Sequence, residues 1–126
     1  MKDKPAPSTH RLSIRIDLAS GARIGPGKVA LLEEIARSGS ISAAGRAMKM
    51  SYRRAWELVE DLNRRLGSPV VETAAGGAGG GGARLTKAGA SLVQQYRAME
   101  AAAAASAEDY LRALEAAVSP PEPREG

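Results

Sequence analysis

Three helical patterns follow one another in the first half of the chain, joined by very short links. The first starts at Gly25-Pro26-Gly27 and stops at Ser38-Gly39, with an apolar face made of Val29, Leu32, Ile35 and Ala36. The second covers only about two turns, capped by Ser40 or Ser42, with the apolar residues Ile41, Ala44, Ala47 and Met48. Since Lys49-Met50-Ser51 is the whole link to the third pattern, the spacing favours a helix-turn-helix.

The third pattern is strongly amphipathic. Ser51 is a good N-cap, the helix runs to about Leu66, and Gly67 follows its end. On a helical wheel the apolar residues gather on one side: Ala55, Leu58, Val59, Leu62 and Leu66. The opposite side carries Arg53, Glu57, Glu60 and Arg64. We expect the first side to pack and the second to face outward.

Extended segments flank this helical region. Residues 11–18 alternate, with one side formed by Leu12, Ile14, Ile16 and Leu18, which predicts a half-buried strand that Ser20-Gly21 ends. Residues 69–73 predict a short strand, and residues 84–86 predict a strand that returns to pair with it. Between them, residues 74–83 are almost all Gly and Ala, so the pair forms a hairpin with a long tip.

The last segment is a long Ala-rich helix predicted over residues 87–117. Its bulkier residues recur at alternating spacings of four and three, which is typical of a packed helical seam: Leu92, Tyr96, Met99, Ala103, Ser106 and Tyr110. We expect this helix to form a dimer interface through Leu92, Tyr96, Met99, Ala103 and Tyr110. The alternative is that the helix folds back on its own domain. Residues 1–10 and 119–126 are expected to be disordered.

The order of elements predicts a mainly α protein with a small β-hairpin wing. A winged helix-turn-helix domain would occupy residues 11–86, and the long dimerisation helix residues 87–118.

Composition excludes several classes of function. The chain has no cysteine and one histidine, His10, so thiolate zinc sites and cysteine nucleophiles are ruled out. The acidic residues Glu57, Glu60, Asp61 and Glu72 have no His or Cys nearby in sequence to complete a metal site. We therefore expect no enzyme activity, no metal and no cofactor. Residues 1–11 hold no apolar run, so neither a signal peptide nor a membrane span is expected, and the protein should be cytoplasmic.

Charge is distributed unevenly along the chain. Residues 1–99 carry 16 basic and 8 acidic side chains, whereas residues 100–126 carry 2 and 6. A basic body with an acidic tail indicates a polyanionic partner.

The start of the third helix gives the clearest pointer to double-stranded DNA. Arg46, Lys49, Arg53 and Arg54 lie within nine residues that include no acid. Cations at a helix start oppose the helix dipole, which favours an anionic ligand over the alternative of a merely solvated face. If only this end enters the major groove, the residues that reach base edges are Ser51, Tyr52, Arg53 and Glu57. Arg54, Arg46 and Lys49 would meet phosphates. Trp56, at the edge of the apolar side, is interpreted as a packing residue; the alternative is a residue that stacks on bases.

The glycine run at residues 76–82 contains a G-x-G-x-x-G pattern but opens no helix and sits in no βαβ unit, so it predicts no dinucleotide site. Its alternatives are a flexible linker and a wing tip whose bare backbone approaches a phosphate chain. Strand-like flanks favour the wing, with Gly77, Gly79, Gly80, Gly81 and Arg84 as contact residues.

Two stretches of the sequence resemble known families of regulators. Residues 38–44, S-G-S-I-S-A-A, are similar to helix-turn-helix regions of LysR-type regulators. Residues 51–56, S-Y-R-R-A-W, followed by V-E-T at 71–73 and the glycine run through Thr86 and Gly89, resemble the amino-terminal DNA-binding domain of ModE-type molybdate-responsive regulators. The strand before the first helix fits the ModE type as well. The resemblance covers about residues 11–105.

The resemblance implies a homodimeric transcription regulator, linked to molybdenum or oxyanion metabolism, that binds a palindromic operator. It places residues 51–54 in the recognition helix, residues 76–84 in the wing and residues 92–110 in the dimerising helix. In that family, carboxy-terminal domains bind the oxyanion, and this sequence ends before such domains. We therefore expect no direct molybdate binding, which leaves constitutive action, pairing with a sensor-bearing partner protein, or a signal received from a separate protein. The alternative function is a winged-helix protein-interaction adaptor without specific DNA binding.

Overall fold

The computed structural model describes residues 10–74 and 82–118. Four helices dominate: α1 (Pro26–Ser38), α2 (Ile41–Ala47), α3 (Tyr52–Arg65) and α4 (Lys87–Val118). Two antiparallel pairs of short strands complete the fold: β1 (Ile16–Asp17) with β2 (Arg23–Ile24), and β3 (Val71–Thr73) with β4 (Ala83–Leu85). The mainly helical, winged architecture predicted from the sequence is confirmed. Most of the predicted terminal arm and the whole tail lie outside the described residues.

The predicted alternation of buried and exposed residues over residues 11–18 is largely correct, but the predicted strand is longer than the one that forms. Leu12, Ile14 and Ile16 are half-buried, but only residues 16–17 form β1, and Leu18 is exposed. Its partner β2 was not predicted. Gly21, with φ of 93°, is part of the turn between the two strands, where the sequence pattern indicated only an end to the first.

Helix α1 begins at Pro26 and ends where Gly39 adopts the left-handed conformation, with its N–H donating to Ile35 O at 2.8 Å. Its buried face is wider than predicted: Leu31 is completely buried, and Ala36, which was expected in the apolar face, is exposed. The reason is that α1 packs against α2, β4 and α4, so more than one stripe of the helix is covered.

Helices α2 and α3 approach closely at their crossing. A Cβ built on Gly45 would lie 3.2 Å from the Ala55 Cβ, and both residues are buried. The turn between them closes through Met50 N, which donates to Gly45 O at 2.9 Å. Lys49, in this turn, has φ of 58°, a strained conformation for a residue with a side chain.

The first strand of the wing is held to α3 by the side chain of Asn63. The Asn63 amide nitrogen donates to Val71 O at 3.0 Å, and its Oδ1 accepts from Val70 N at 2.8 Å and from Val71 N at 3.3 Å. Both valines are buried. On the other strand of the wing, Ala83 N donates to Gly39 O at 2.9 Å, so the wing is also attached to the end of α1.

The base of α4 is fixed by close backbone approach and by polar contacts. Thr86 Oγ1 accepts from Gly89 N at 3.0 Å and donates to Pro69 O at 2.6 Å. A Cβ on Gly89 would come within 2.1 Å of Val70 O, so only glycine fits there. Further along, the Arg97 guanidinium donates to both carboxylate oxygens of Glu33 on α1. This pair raises the pKa of Arg97 and lowers the pKa of Glu33.

The segment before β1 runs back along α4. His10, which we expected in the disordered arm, lies against α4 with Nδ1 3.0 Å from Glu115 Oε1 and Nε2 3.4 Å from Glu108 Oε1. The hydrogen bond to Glu115, followed by that to Glu108, raises the pKa of His10 above its ordinary 6.5. The ion pairs of protonated His10 with Glu115 and Glu108 are therefore fully formed below pH 6.5. They are lost as the pH rises through the raised pKa of His10.

No helix in the described part of the chain is long and apolar enough to cross a membrane.

Replacing Asn63 tests how the wing is held. Asn63→Ala removes three hydrogen bonds and leaves the buried Val70 N–H without its acceptor, so the free energy of unfolding should fall by about 2 kcal/mol. Glu60→Ala, on the exposed side of the same helix, should change it by less than about 0.5 kcal/mol. Urea unfolding followed by circular dichroism measures both. Equal losses for the two variants would contradict the role given to Asn63.

Candidate nucleic-acid interface

Both helices of the helix-turn-helix start at a serine cap. Ser40 Oγ accepts from Ala43 N at 2.9 Å at the start of α2, and Ser51 Oγ accepts from Arg54 N at 3.0 Å at the start of α3. Each hydroxyl satisfies a backbone N–H that the helix itself leaves free. The cap at Ser51 fixes the direction in which the first turn of α3 points.

The first turn of α3 projects from the surface. Tyr52, Arg53, Arg54 and Glu57 are all exposed, and the Arg53 side chain is 88% exposed. Arg53 Nε lies 3.4 Å from Glu57 Oε2, a long contact between two exposed groups that costs little to break. The guanidinium is therefore free to rearrange onto a ligand.

The cations predicted to meet phosphates are Arg46, Lys49 and Arg54, and all three are exposed. Arg46, at the end of α2, is exposed and donates from Nη1 to Ser42 Oγ at 3.0 Å. Lys49 is exposed in the turn between the helices. Arg54 lies in a shallow hollow of about 380 Å³ that it shares with Arg15, Arg23 and Lys28.

Those last three cations were missed in the sequence. Arg15 and Arg23 belong to the β1–β2 hairpin region and Lys28 to the first turn of α1, far from α3 along the chain. Arg15 on the polar side of the alternating segment was the available signal, but the hairpin that brings Arg23 beside it was not predicted. Asp17 partly offsets the positive charge of this group. Its Oδ1 lies 3.1 Å from Arg15 Nε and 4.0 Å from Arg23 Nε.

At the base of the wing, Arg84 and Glu72 face each other across β3 and β4. Arg84 Nε donates to Glu72 Oε2 at 3.0 Å, and both side chains are exposed. The other predicted wing contacts, Gly77, Gly79, Gly80 and Gly81, lie outside the described residues.

Trp56 does not pack in the core, so our interpretation of it from the sequence is wrong. It is 43% exposed, and Tyr52, one turn earlier on α3, is 57% exposed. The two aromatic rings line a groove of about 400 Å³ between α3 and the wing. Its other walls come from the start of α2 and from the wing strands: Ser40, Ile41, Ser42, Thr73, Ala74, Gly82 and Ala83.

The predicted seam on α4 divides between two environments. Tyr96 is 1% exposed and donates from its hydroxyl to Ile14 O at 2.8 Å, and Leu92 packs against the same core. Ala103 is half-buried, whereas Met99 and Tyr110 are exposed, Tyr110 by 78%. The exposed stripe continues through Leu114 and Val118.

The acidic residues near this surface pair with arginines. Glu57, Asp61 and Glu72 each contact an arginine, and the described residues hold no group of three potential metal ligands. The hydrogen bond from Arg65 lowers the pKa of Asp61, so this carboxylate serves as an ion-pair partner.

A short helix, a tight turn, an exposed capped helix and an attached hairpin define a winged helix-turn-helix protein. Residues 27–90 match the model of the family described as "Bacterial regulatory helix-turn-helix protein, lysR family". The chain belongs to this family of DNA-binding transcriptional regulators.

Its relatives include proteins connected with molybdenum. It is 48% identical over 85 residues to the molybdenum-pterin-binding protein MopB of Rhodobacter capsulatus, covering 68% of this chain and 32% of MopB. It is 39% identical over 110 residues to MopA of the same organism, covering 87% of this chain and 40% of MopA. It is 44% identical over 71 residues to the DNA-binding transcriptional dual regulator ModE of Escherichia coli K12, covering 56% of this chain and 27% of ModE. The chain thus spans well under half the length of these relatives.

The fold is similar to that of a CbnR DNA-binding domain solved in complex with DNA. The TM-score is 0.54 at 21% sequence identity, covering 69% of this chain and 94% of that domain.

Two substitutions of Ser51 separate its role as a helix cap from its other properties. Ser51→Ala removes the acceptor for Arg54 N and should lower the free energy of unfolding by about 1 kcal/mol. Ser51→Asp keeps an acceptor and suits the helix dipole, so its stability should stay close to that of the unchanged protein. Urea unfolding of the three proteins is the measurement. A loss in Ser51→Asp as large as that in Ser51→Ala would show that the cap is not what holds this turn.

Proposed function

We propose that this chain binds double-stranded DNA sequence-specifically, as a homodimer on a palindromic operator. The observation that carries the proposal is the exposed first turn of α3, whose Arg53 side chain is 88% exposed. A projecting capped helix of this kind fits the major groove, where side chains reach base edges.

The residues of this surface divide by the part of DNA that they would meet. Ser51, Tyr52, Arg53 and Glu57 would face the base edges; arginine suits guanine, and glutamate suits the amino group of cytosine. Arg46, Lys49 and Arg54 would contact phosphates and set the register. Arg84, with the glycines of the wing, would meet the backbone outside the major groove.

The dimer would form through α4. Its exposed stripe of Met99, Tyr110, Leu114 and Val118 has no cover within the described residues. The Ala-rich surroundings would let two such helices approach closely. Tyr96 would support the interface from below, because its buried ring fixes α4 on the domain. Two recognition helices about 34 Å apart would then match successive major grooves.

The regulated process would be molybdenum or oxyanion metabolism, as the names of MopB, MopA and ModE suggest. The protein would act on DNA in the cytoplasm. A sensor-bearing partner protein is one source of its signal, and constitutive action is another.

Charge reversal at Arg53 tests DNA binding. A duplex is first selected from a random pool, and its affinity is measured by fluorescence anisotropy. Arg53→Glu should weaken binding by about 100-fold or more, because it loses a base contact and adds repulsion. Arg64→Glu makes the same change in charge at the far end of α3 and should weaken binding by less than about 5-fold.

Salt dependence provides the second readout in this experiment. The affinity of the unchanged protein should fall steeply as salt rises, through counterion release. Weak, salt-insensitive binding that Arg53→Glu leaves unchanged would refute the proposal and favour a winged-helix interaction adaptor.

Charges on the stripe of α4 test the dimer. Tyr110→Asp combined with Leu114→Asp places two carboxylates where apolar surface would be buried, so the protein should become monomeric. Leu18→Asp, at another exposed apolar residue, should leave the dimer intact. Sedimentation velocity at micromolar concentration distinguishes the two states. A monomeric unchanged protein, or a double variant that still dimerises, would refute this interface.

A further inference from the structure

A groove lies between α3 and the wing, beside the charged residues of the proposed DNA-binding surface. Its walls are Tyr52 and Trp56, the aromatic residues one turn apart on α3, and the base of the wing at Thr73 and Ala83. We call it the aromatic groove. Trp56 is the chain's single tryptophan, and tryptophan is mostly buried in folded proteins. Here 43% of it faces solvent, next to the helix turn proposed to read DNA.

The aromatic groove is lined by both apolar and hydroxyl-bearing side chains. Ile41 and Ala83, which are both buried, contribute to its lining. The hydroxyl-bearing residues Ser40, Ser42 and Thr73 stand around it. A groove that presents two aromatic rings among hydroxyl groups suits a small apolar group attached to a polar frame.

The position of the groove favours DNA as its occupant. It is continuous with the proposed interface, because Tyr52 belongs to both, and Arg53 and Arg84 lie on the elements that form its two sides. A base-paired duplex does not offer base faces for stacking unless a base is extruded. The apolar feature that an intact major groove does offer is the 5-methyl group of thymine.

We propose that Trp56, together with Tyr52, contacts thymine methyl groups in the major groove and makes thymine preferred at a position beside the base read by Arg53. This inference rests on the proposed DNA-binding function and adds a specificity-determining residue to it. The aromatic groove takes the methyl group, and its hydroxyl groups face the polar atoms of the same base pair.

Fluorescence of Trp56 tests whether the groove is occupied, since no other tryptophan contributes to the signal. Acrylamide should quench Trp56 readily in the free protein. On saturation with the selected duplex, the quenching constant should fall by at least about half. Saturation is established independently by the anisotropy of a labelled duplex. A bound duplex that leaves quenching unchanged would overturn the inference while the proposed function stood, whereas failure to bind any duplex would overturn both.

Replacing thymine by uracil tests the methyl contact itself, since the two bases differ only in that group. At one position in each half-site, uracil should weaken binding to the unchanged protein roughly fourfold, the value of one buried methyl group. In Trp56→Leu the same replacement should have a smaller effect, because only Tyr52 of the two aromatic contacts remains, while Arg53→Glu should lose affinity for both duplexes equally. Thymine and uracil duplexes that bind the unchanged protein equally at every position would overturn the inference. So would an undiminished uracil effect in Trp56→Leu. Both the quenching and the uracil series on the unchanged protein remain decisive if Trp56→Leu fails to fold.

Discussion

The amide of Asn63 joins α3 to the wing through three hydrogen bonds, and the geometry of the outer surface depends on it. One side chain satisfies the N–H groups of both Val70 and Val71 and the carbonyl of Val71. These groups belong to the strand that leads into the wing, so its position is set directly by α3 and not only by the core beneath. The aromatic groove depends on a fixed distance between α3 and the wing, because α3 provides one of its walls and the wing provides another. Ala83 N, bonded to Gly39 O, holds the second strand of the wing to the end of α1.

The same small core orients the long helix. Thr86, at the end of the wing, caps α4, and Gly89 allows α4 to lie directly against Val70 O. Tyr96 and Arg97 then fix α4 to the hairpin region and to α1. Because these contacts connect α4 to α3 through the wing, the direction in which two recognition helices would point in a dimer is determined by rigid packing within each chain. A chain with no phenylalanine and few aromatic residues achieves this largely through close backbone approach at glycine and alanine.

Local features were predictable and long-range ones were not. The end of α1 and the starts of α2 and α3 are set by local capping residues, namely Gly39, Ser40 and Ser51. These boundaries could therefore be predicted from the sequence. Strand β2 depends on pairing across a turn, which no local pattern indicated. On α4, Tyr96 has the same spacing as Tyr110, but spacing alone does not distinguish packing on the chain's own core from packing on a partner, and Tyr96 turned inward. Trp56 lies at the edge of its helical wheel, where exposure depends on how far the wing extends over α3, a distance the sequence does not contain. The residues of the first turn of α3, by contrast, are as exposed as their polar side predicted.

In the proposed dimer, the first turn of α3 enters the major groove twice. Methylation interference on the selected duplex tests this most directly, because dimethyl sulfate modifies guanine N7 in the major groove and adenine N3 in the minor groove. We expect interference at guanines in two segments whose centres are about 10 base pairs apart, arranged symmetrically. Interference at a single segment, or at minor-groove adenines with none at guanines, would contradict it.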